Sequence, residues 1–290
     1  MIPISGHTRF CALIGDPVRH SLSPAIHNTA YDLLGLDYVY TVFPVSESHF
    51  KEGMQALKAL GLAGYNVTMP GKKIAAETVD VISKEAQLSH SVNTIVIRDG
   101  KLYGYSTDGY GFMETMRRAG IDLTGETLCV LGTGGAARAI VVQAAVDGVG
   151  EIVLFRRKGS GKWDQAASFA AYISSETGCR IHVEDIADIS LLRETVRRSP
   201  VLANATNVGM DPHPNESPIT DPSCFYPGLT VFDVIYHPRK TLLLQDAEAA
   251  HCRTINGIPM LVHQAALAFY YITGKEMPVD DVIRILFPES

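Results

Sequence analysis

Apolar residues along this chain fall into short unbroken runs, separated by longer stretches in which they recur every three or four positions. That is the pattern of buried strands interleaved with amphipathic helices. RFCALIG, Arg9 to Gly15, reads as a buried strand. After a short loop, Ser23 is expected as an N-cap and Pro24 as a first-turn proline for a helix ending at Gly35, its C-cap. Asp37 to Val45 reads as the next strand, 49–60 as a helix and Gly64 to Thr68 as a third strand. Thr94 to Tyr105 holds two alternating runs about Asp99 and Gly100, residues that tolerate positive φ and so predict a tight hairpin.

A second module opens at TLCVL, Thr127 to Leu131, a short buried strand running directly into GTGGAARA, Gly132 to Ala139. Further strands are expected at 151–155, 180–183, 200–204 and 230–233 with helical segments between them, and the last two helices at 258–273 and 279–286. The expected fold is α/β with mostly parallel sheets. A length of 290 residues is comfortable for two domains, each burying its own apolar centre.

Composition narrows the classes. With 46% hydrophobic and 19% charged residues the chain is an ordinary globular one, and a net charge of -6 leaves no basic excess to neutralise a phosphate backbone or an anionic leaflet. Nucleic acid and membrane are not expected as partners. Cys11, Cys129, Cys179, Cys224 and Cys252 are odd in number and scattered, which reads as reduced, buried thiols. Arg9, Asp16, Pro17 and Arg19 interrupt any apolar run long enough for a signal peptide or a span, so the expected location is the cytoplasm. His20 and His27 have no carboxylate or cysteine set around them, and no metal site is expected.

The candidate chemistry begins at the glycine loop. Gly132, Thr133, Gly134, Gly135 and Ala136 sit where a strand gives way to a helix, with Ala137 at the third position of the GxGxxG spacing. A pyrophosphate needs a turn without side chains and amide groups at the positive end of a helix dipole. The next strand ends in Arg156, Arg157 and Lys158, where an acidic residue would accept the ribose hydroxyls of NAD. Three cations there favour the 2′-phosphate of NADP, with NAD as the alternative.

Polar clusters also gather where strands of the first module meet loops or helices: HSLSPAIHN with Ser21 and Ser23, NVTMPGK with Thr68 and Lys72, SVNT with Asn93 and Thr94, STDGYG with Asp108. Singly, each has a structural explanation, Ser23 and Asp108 as caps and Lys72 as a solvated lysine. Together, in this order and ahead of the glycine loop, they resemble the shikimate dehydrogenase family. The resemblance runs from about Arg9 to Phe287 and includes NATNVGM (Asn204 to Met210), VFDVIYHP (Val231 to Pro238) and NGIPMLVHQA (Asn256 to Ala265). FRRK, WDQAASFA and NESPITD lean toward the quinate/shikimate branch.

The resemblance implies a discontinuous substrate domain, 1–108 plus 256–290, and a Rossmann-type NAD(P) domain, 109–255. It also implies a cleft between them that closes on the bound pair. By the same resemblance Ser21 and Ser23 hold the substrate carboxylate, Thr68, Asn93 and Gln264 contact ring hydroxyls, and Tyr236 is a further substrate contact. Lys72 matches the catalytic lysine and Asp108 its acidic partner. The glycine loop, Thr206, Val234 and Gly257 match positions around the dinucleotide. Ser106, Arg156 and Pro259 depart from the usual Asn, Asn and Gly, which bears on substrate preference and cofactor geometry.

The implied reaction is reversible reduction of 3-dehydroshikimate to shikimate by a monomer or homodimer. Reducing a ring ketone builds negative charge on its oxygen and calls for a nearby proton donor, a role open to Lys72 or Asp108. Quinate dehydrogenase is the alternative, an aminoshikimate dehydrogenase a further variant, and a non-catalytic sensor for such ligands a reading from another class.

Overall fold

The structure, a computed structural model, describes residues 3–159 and 161–288; the extreme ends of the expected first domain therefore lie outside the described residues. The chain folds as two compact units, Met1–Gly111 with Leu261–Ser290 and Phe112–Met260. It passes from one to the other within two helices, Asp108–Arg118 and Ile258–Thr273.

The first unit runs β1 (Arg9–Gly15), α1 (Ser23–Leu34), β2 (Tyr38–Pro44), α2 (Phe50–Ala59), β3 (Gly64–Val67), α3 (Lys72–Thr78), β4 (Val81–Ile82), α4 (Lys84–Ser89), β5 (Thr94–Arg98), β6 (Lys101–Tyr105) and the start of α5 (Asp108–Arg118). Its six-stranded sheet has the order β2-β1-β3-β5-β6-β4. β1 pairs parallel with β2 and β3, but β3 with β5 and β5 with β6 run antiparallel, so this sheet is mixed. The hairpin is the one expected, with Asp99 at φ 49 and Gly100 at φ 69 in its turn. One core packs Ala12, Ile14, Tyr65, Val67 and Ile95 of the strands against Phe50, Met54 and Leu57 of α2. Each large side chain so buried is worth about 1.5–3 kcal/mol.

Ser23 is not the N-cap expected of it. It is the first residue of α1, and Leu22 holds the cap position with no side-chain bond of its own to the helix. Ser21, in the preceding loop, bonds the helix start instead: Ser23 N–H donates to Ser21 Oγ at 3.2 Å and the two hydroxyls meet at 3.2 Å.

The second unit runs β7 (Thr127–Leu131), α6 (Gly135–Val146), β8 (Glu151–Arg156), α7 (Trp163–Thr177), β9 (Arg180–Asp185), α8 (Ile189–Arg197), β10 (Val201–Asn204), β11 (Thr230–Asp233), α9 (Leu242–Ala249), β12 (Arg253–Ile255) and the start of α10 (Ile258–Thr273). α11 (Val279–Leu286) belongs to the first unit. The sheet order β12-β11-β10-β7-β8-β9 is parallel throughout, the doubly wound arrangement whose strand order turns back beside β7. TLCVL is apolar on both faces because β7 lies inside this sheet; Cys129 and Leu131 enter one core with Phe155, Leu202 and Val231. Among the described residues no helix is long and apolar enough to cross a membrane, and no group of side chains is set to hold a metal ion.

Candidate active site

In the first unit, Lys72 is the first residue of α3. Two contacts set it there. A Cβ on Gly71 would fall 1.8 Å from the fully buried Phe50 ring, so only glycine lets the chain pass at that point. Val92 N–H donates to the Lys72 carbonyl at 3.0 Å, tying the helix start to the segment before Asn93.

Lys72 Nζ then donates to Asp108 Oδ2 at 2.6 Å, with both side chains partly exposed. Asp108 opens α5, where a carboxylate suits the positive helix end. Its other oxygen, Oδ1, accepts from Asn93 Nδ2 at 2.8 Å.

Asn93 is buried and its amide has one orientation, because the Thr107 backbone N–H donates to Oδ1 at 2.9 Å and leaves Nδ2 to face Asp108. Gln264 Oε1 accepts from Thr107 Oγ1 at 3.3 Å and lies 3.5 Å from Asn93 Nδ2. Beneath this layer the antiparallel register sets Asn66 opposite Thr94, and Asn66 Nδ2 donates to Thr94 Oγ1 at 3.0 Å and to the Asn93 carbonyl at 3.1 Å. Asn66 Oδ1 accepts from Tyr40 Oη at 2.8 Å. Burial pushes the Tyr40 phenol well above its ordinary range, with a hydrogen bond to Ser23 pulling the other way.

Lys72, Asn93, Asp108 and Gln264 are thus one hydrogen-bonded cluster. Thr107 and Asn66, which hold it together, do not stand out in the sequence; buried polar residues on adjacent strands carry no local signal that they will meet. Thr68 follows β3 directly, and its methyl group blocks any side chain at Gly15, where a Cβ would approach to 2.4 Å. Tyr236 belongs to the second unit, in the loop after β11, and is 37% exposed.

In the second unit the glycines divide by role. Gly132 has φ 103, and a Cβ there would lie 2.9 Å from both the Ala205 carbonyl oxygen and Thr206 Cγ2. Its lack of a side chain is demanded by the fold. A Cβ on Gly134 or Gly135 would meet nothing within 4 Å, so the protein's own packing does not require glycine at the N-terminus of α6. Bare amides at that helix end suit a pyrophosphate, and Ala137, fully buried, keeps the helix close to the sheet.

Arg156 ends β8, and its Nη1 donates to Thr133 Oγ1 at 2.8 Å and to the Lys162 carbonyl at 2.7 Å, which lays the guanidinium beside the glycine loop. Arg157 and Lys158 are exposed; Lys158 Nζ stands 5.9 Å from the Trp163 ring centre. Thr206 donates through N–H and Oγ1 to Asn204 Oδ1 at 3.0 and 2.7 Å. Gly257 passes so close to Val234 that a Cβ would sit 2.1 Å from the Val234 carbonyl oxygen.

The substrate-binding-domain model of shikimate dehydrogenases matches residues 13–95, and the shikimate 5′-dehydrogenase C-terminal domain model matches 257–287. A Listeria monocytogenes protein named shikimate dehydrogenase (NADP(+)) is 44% identical over 284 residues, covering 98% of this chain and 97% of its own length. The chain belongs to the shikimate dehydrogenase family. The fold is the family's throughout. The crystal structure of Listeria monocytogenes shikimate 5-dehydrogenase in complex with shikimate and NAD superposes with a TM-score of 0.95 at 44% identity, covering 98% of each chain. A quinate dehydrogenase from Corynebacterium glutamicum in complex with NAD is more distant, at a TM-score of 0.84 and 28% identity, covering 95% of this chain and 97% of that one.

Proposed function

We propose that this chain catalyses the reversible NADPH-dependent reduction of 3-dehydroshikimate to shikimate, with NAD as the alternative cofactor. The observation that carries the reading is the Lys72–Asp108–Asn93–Gln264 cluster, assembled in a family member that also has a bare-amide glycine loop.

Residues 109–255 are read as the dinucleotide half and residues 1–108 with 256–290 as the substrate half. Gly132, Thr133, Gly134, Gly135 and Ala136 would hold the pyrophosphate, Arg156, Arg157 and Lys158 the 2′-phosphate, and Thr206, Val234 and Gly257 the nicotinamide portion. When bound, the dinucleotide supplies or accepts the hydride.

Hydride addition at the ring carbonyl sends the C=O π electrons to oxygen, and the Lys72 ammonium stabilises that charge and delivers the proton. Asp108 holds the ammonium at 2.6 Å while Asn93 holds Asp108, so the donor is in position before the reaction begins. Ser21 and Ser23 bind the substrate carboxylate, Thr68, Asn93 and Gln264 its ring hydroxyls, and Tyr236 adds a contact. The free, buried cysteines support action in a reducing compartment, which we read as the cytoplasm, and the chain is read as a monomer or homodimer.

The test follows nicotinamide absorbance with shikimate and with quinate, each against NADP and NAD. Fastest turnover is expected for shikimate with NADP. A faster rate with quinate would reassign the chain within the family, and binding of shikimate without turnover of either acid would make it a sensor.

A further inference from the structure

Asp233 is a fully buried carboxylate at the end of β11 to which the proposed reaction gives no role. Its partners are an amide, a backbone N–H and a hydroxyl, none of them cationic. Oδ1 accepts from Asn204 Nδ2 at 3.0 Å and from Ile235 N–H at 3.0 Å, and Oδ2 accepts from Thr241 Oγ1 at 2.7 Å. A buried carboxylate without a counter-charge is costly, so its retention points to what it holds in place.

On one side it holds Asn204, also fully buried, whose Oδ1 takes both donors of Thr206 while Thr206 Oγ1 accepts from Val208 N–H at 3.1 Å. That sets the loop against which Gly132 packs. On the other side, Ile235 and Thr241 anchor the start and end of the loop after β11, where the Val234 backbone closes on Gly257 and Gly257 N–H donates to the Ile235 carbonyl at 3.0 Å. Two strand ends, β10 and β11, are joined through one carboxylate, and both of the loops that follow them are fastened at that junction. A side chain with a polar atom on each branch, one of them an oxygen that accepts twice, serves both loops at once.

We propose that Asp233 is a positioning residue for dinucleotide binding, setting the Thr206 loop through Asn204 and the Val234–Thr241 loop through Ile235 and Thr241. The inference rests on the assignment of these loops to the dinucleotide made above.

The experiment measures NADPH dissociation constants by nicotinamide fluorescence on the full chain, beside the KM for 3-dehydroshikimate and the melting temperature. Asp233→Ala should weaken NADPH about tenfold or more, the scale of a lost charge-assisted bond, and raise the KM for 3-dehydroshikimate by less, since of the substrate contacts only Tyr236 lies in a loop that Asp233 sets. Asp233→Asn should restore binding, because its Oδ1 can still serve Asn204 and Ile235 while its amide turns toward Thr241. If Asp233→Ala fails to fold, Asn204→Ala cuts the same link and should show the same loss. A folded variant that melts lower yet binds NADPH as wild type does would overturn the proposal, as would an Asp233→Asn no better than Asp233→Ala. A wild-type chain that binds no dinucleotide would instead remove the functional reading beneath it.

Discussion

Lys72 Nζ and Asp108 Oδ2 lie 2.6 Å apart although 36 positions separate them in the chain, because the first residues of α3 and α5 meet at one place in the first unit. If the ammonium carries the proton to the substrate oxygen, Lys72→Ala should lose about 10³-fold or more in turnover, within or above the range of positioned acid–base groups, with the KM for shikimate little changed. Steady-state kinetics check this, and a variant with wild-type turnover would take Lys72 out of the mechanism.

Gly71 predicts a coupled loss. An alanine there must displace Phe50, whose ring would lie 1.8 Å from the new methyl group, in a core already closely packed. Gly71→Ala should cost about 1–3 kcal/mol of stability, the usual penalty for overpacking, and lower turnover as well because Lys72 is the next residue. Denaturant unfolding and kcat should fall together; stability lost with kcat intact would uncouple the glycine from the lysine.

Arg156 bears on cofactor choice. Its guanidinium is held by Thr133 and the Lys162 carbonyl, beside the glycine loop. Arg156→Ala should raise the KM for NADP about tenfold or more while leaving that for NAD within a few-fold, since only NADP offers a 2′-phosphate to pair with. Equal effects on both cofactors would mean that Arg156 merely shapes the loop.

Two buried groups give stability opposite pH dependences. His27 is stacked on Tyr40 at 4.3 Å, its Nδ1 has no partner, and burial lowers it from 6.5 to about 3. The unfolded chain therefore takes up a proton below pH 6.5 that the folded chain refuses, and the stability present above that pH is lost as pH falls toward 3, by about 5 kcal/mol at the limit. Asp233 is raised from 3.8 to about 6 by burial, opposed by its bonds from Thr241, Ile235 and Asn204. Its contribution is full below pH 3.8 and is lost as pH rises to 6, by about 3 kcal/mol.

The histidine effect is the larger, so of these two groups it governs acid unfolding. His27→Phe should flatten the melting temperature between pH 6.5 and 4, and Asp233→Asn should raise it at pH 8 more than at pH 4. Thermal melts across that range test both signs.

Much of the fold is legible in the chain itself. The β7 strand, the glycine turn, the Asp99–Gly100 hairpin and the helices at 258–273 and 279–286 rest on local periodicity and turn chemistry, and their bounds in the structure follow the pattern closely. The candidate site residues stand out in the chain as a set of motifs. Ser23 reads as a cap and is not one, because whether a serine bonds a helix end or its neighbour depends on the path of the loop before it. The supporting residues Asn66, Thr107, Asn204 and Asp233 stay hidden, since a buried polar side chain shows its purpose only through partners distant in the chain.

The sequence by itself therefore determined the alternation of strand and helix, the place of the glycine loop and which side chains are candidates for the chemistry, since each follows from residues a few positions apart. Tertiary structure alone decided that Lys72, Asp108, Asn93 and Gln264 share one cluster, that Gly71 must yield to Phe50, and that one buried carboxylate joins the loops at the ends of β10 and β11. Those are relations between segments, set by strand order and register, and no short-range pattern encodes which buried groups packing will bring within reach of a hydrogen bond.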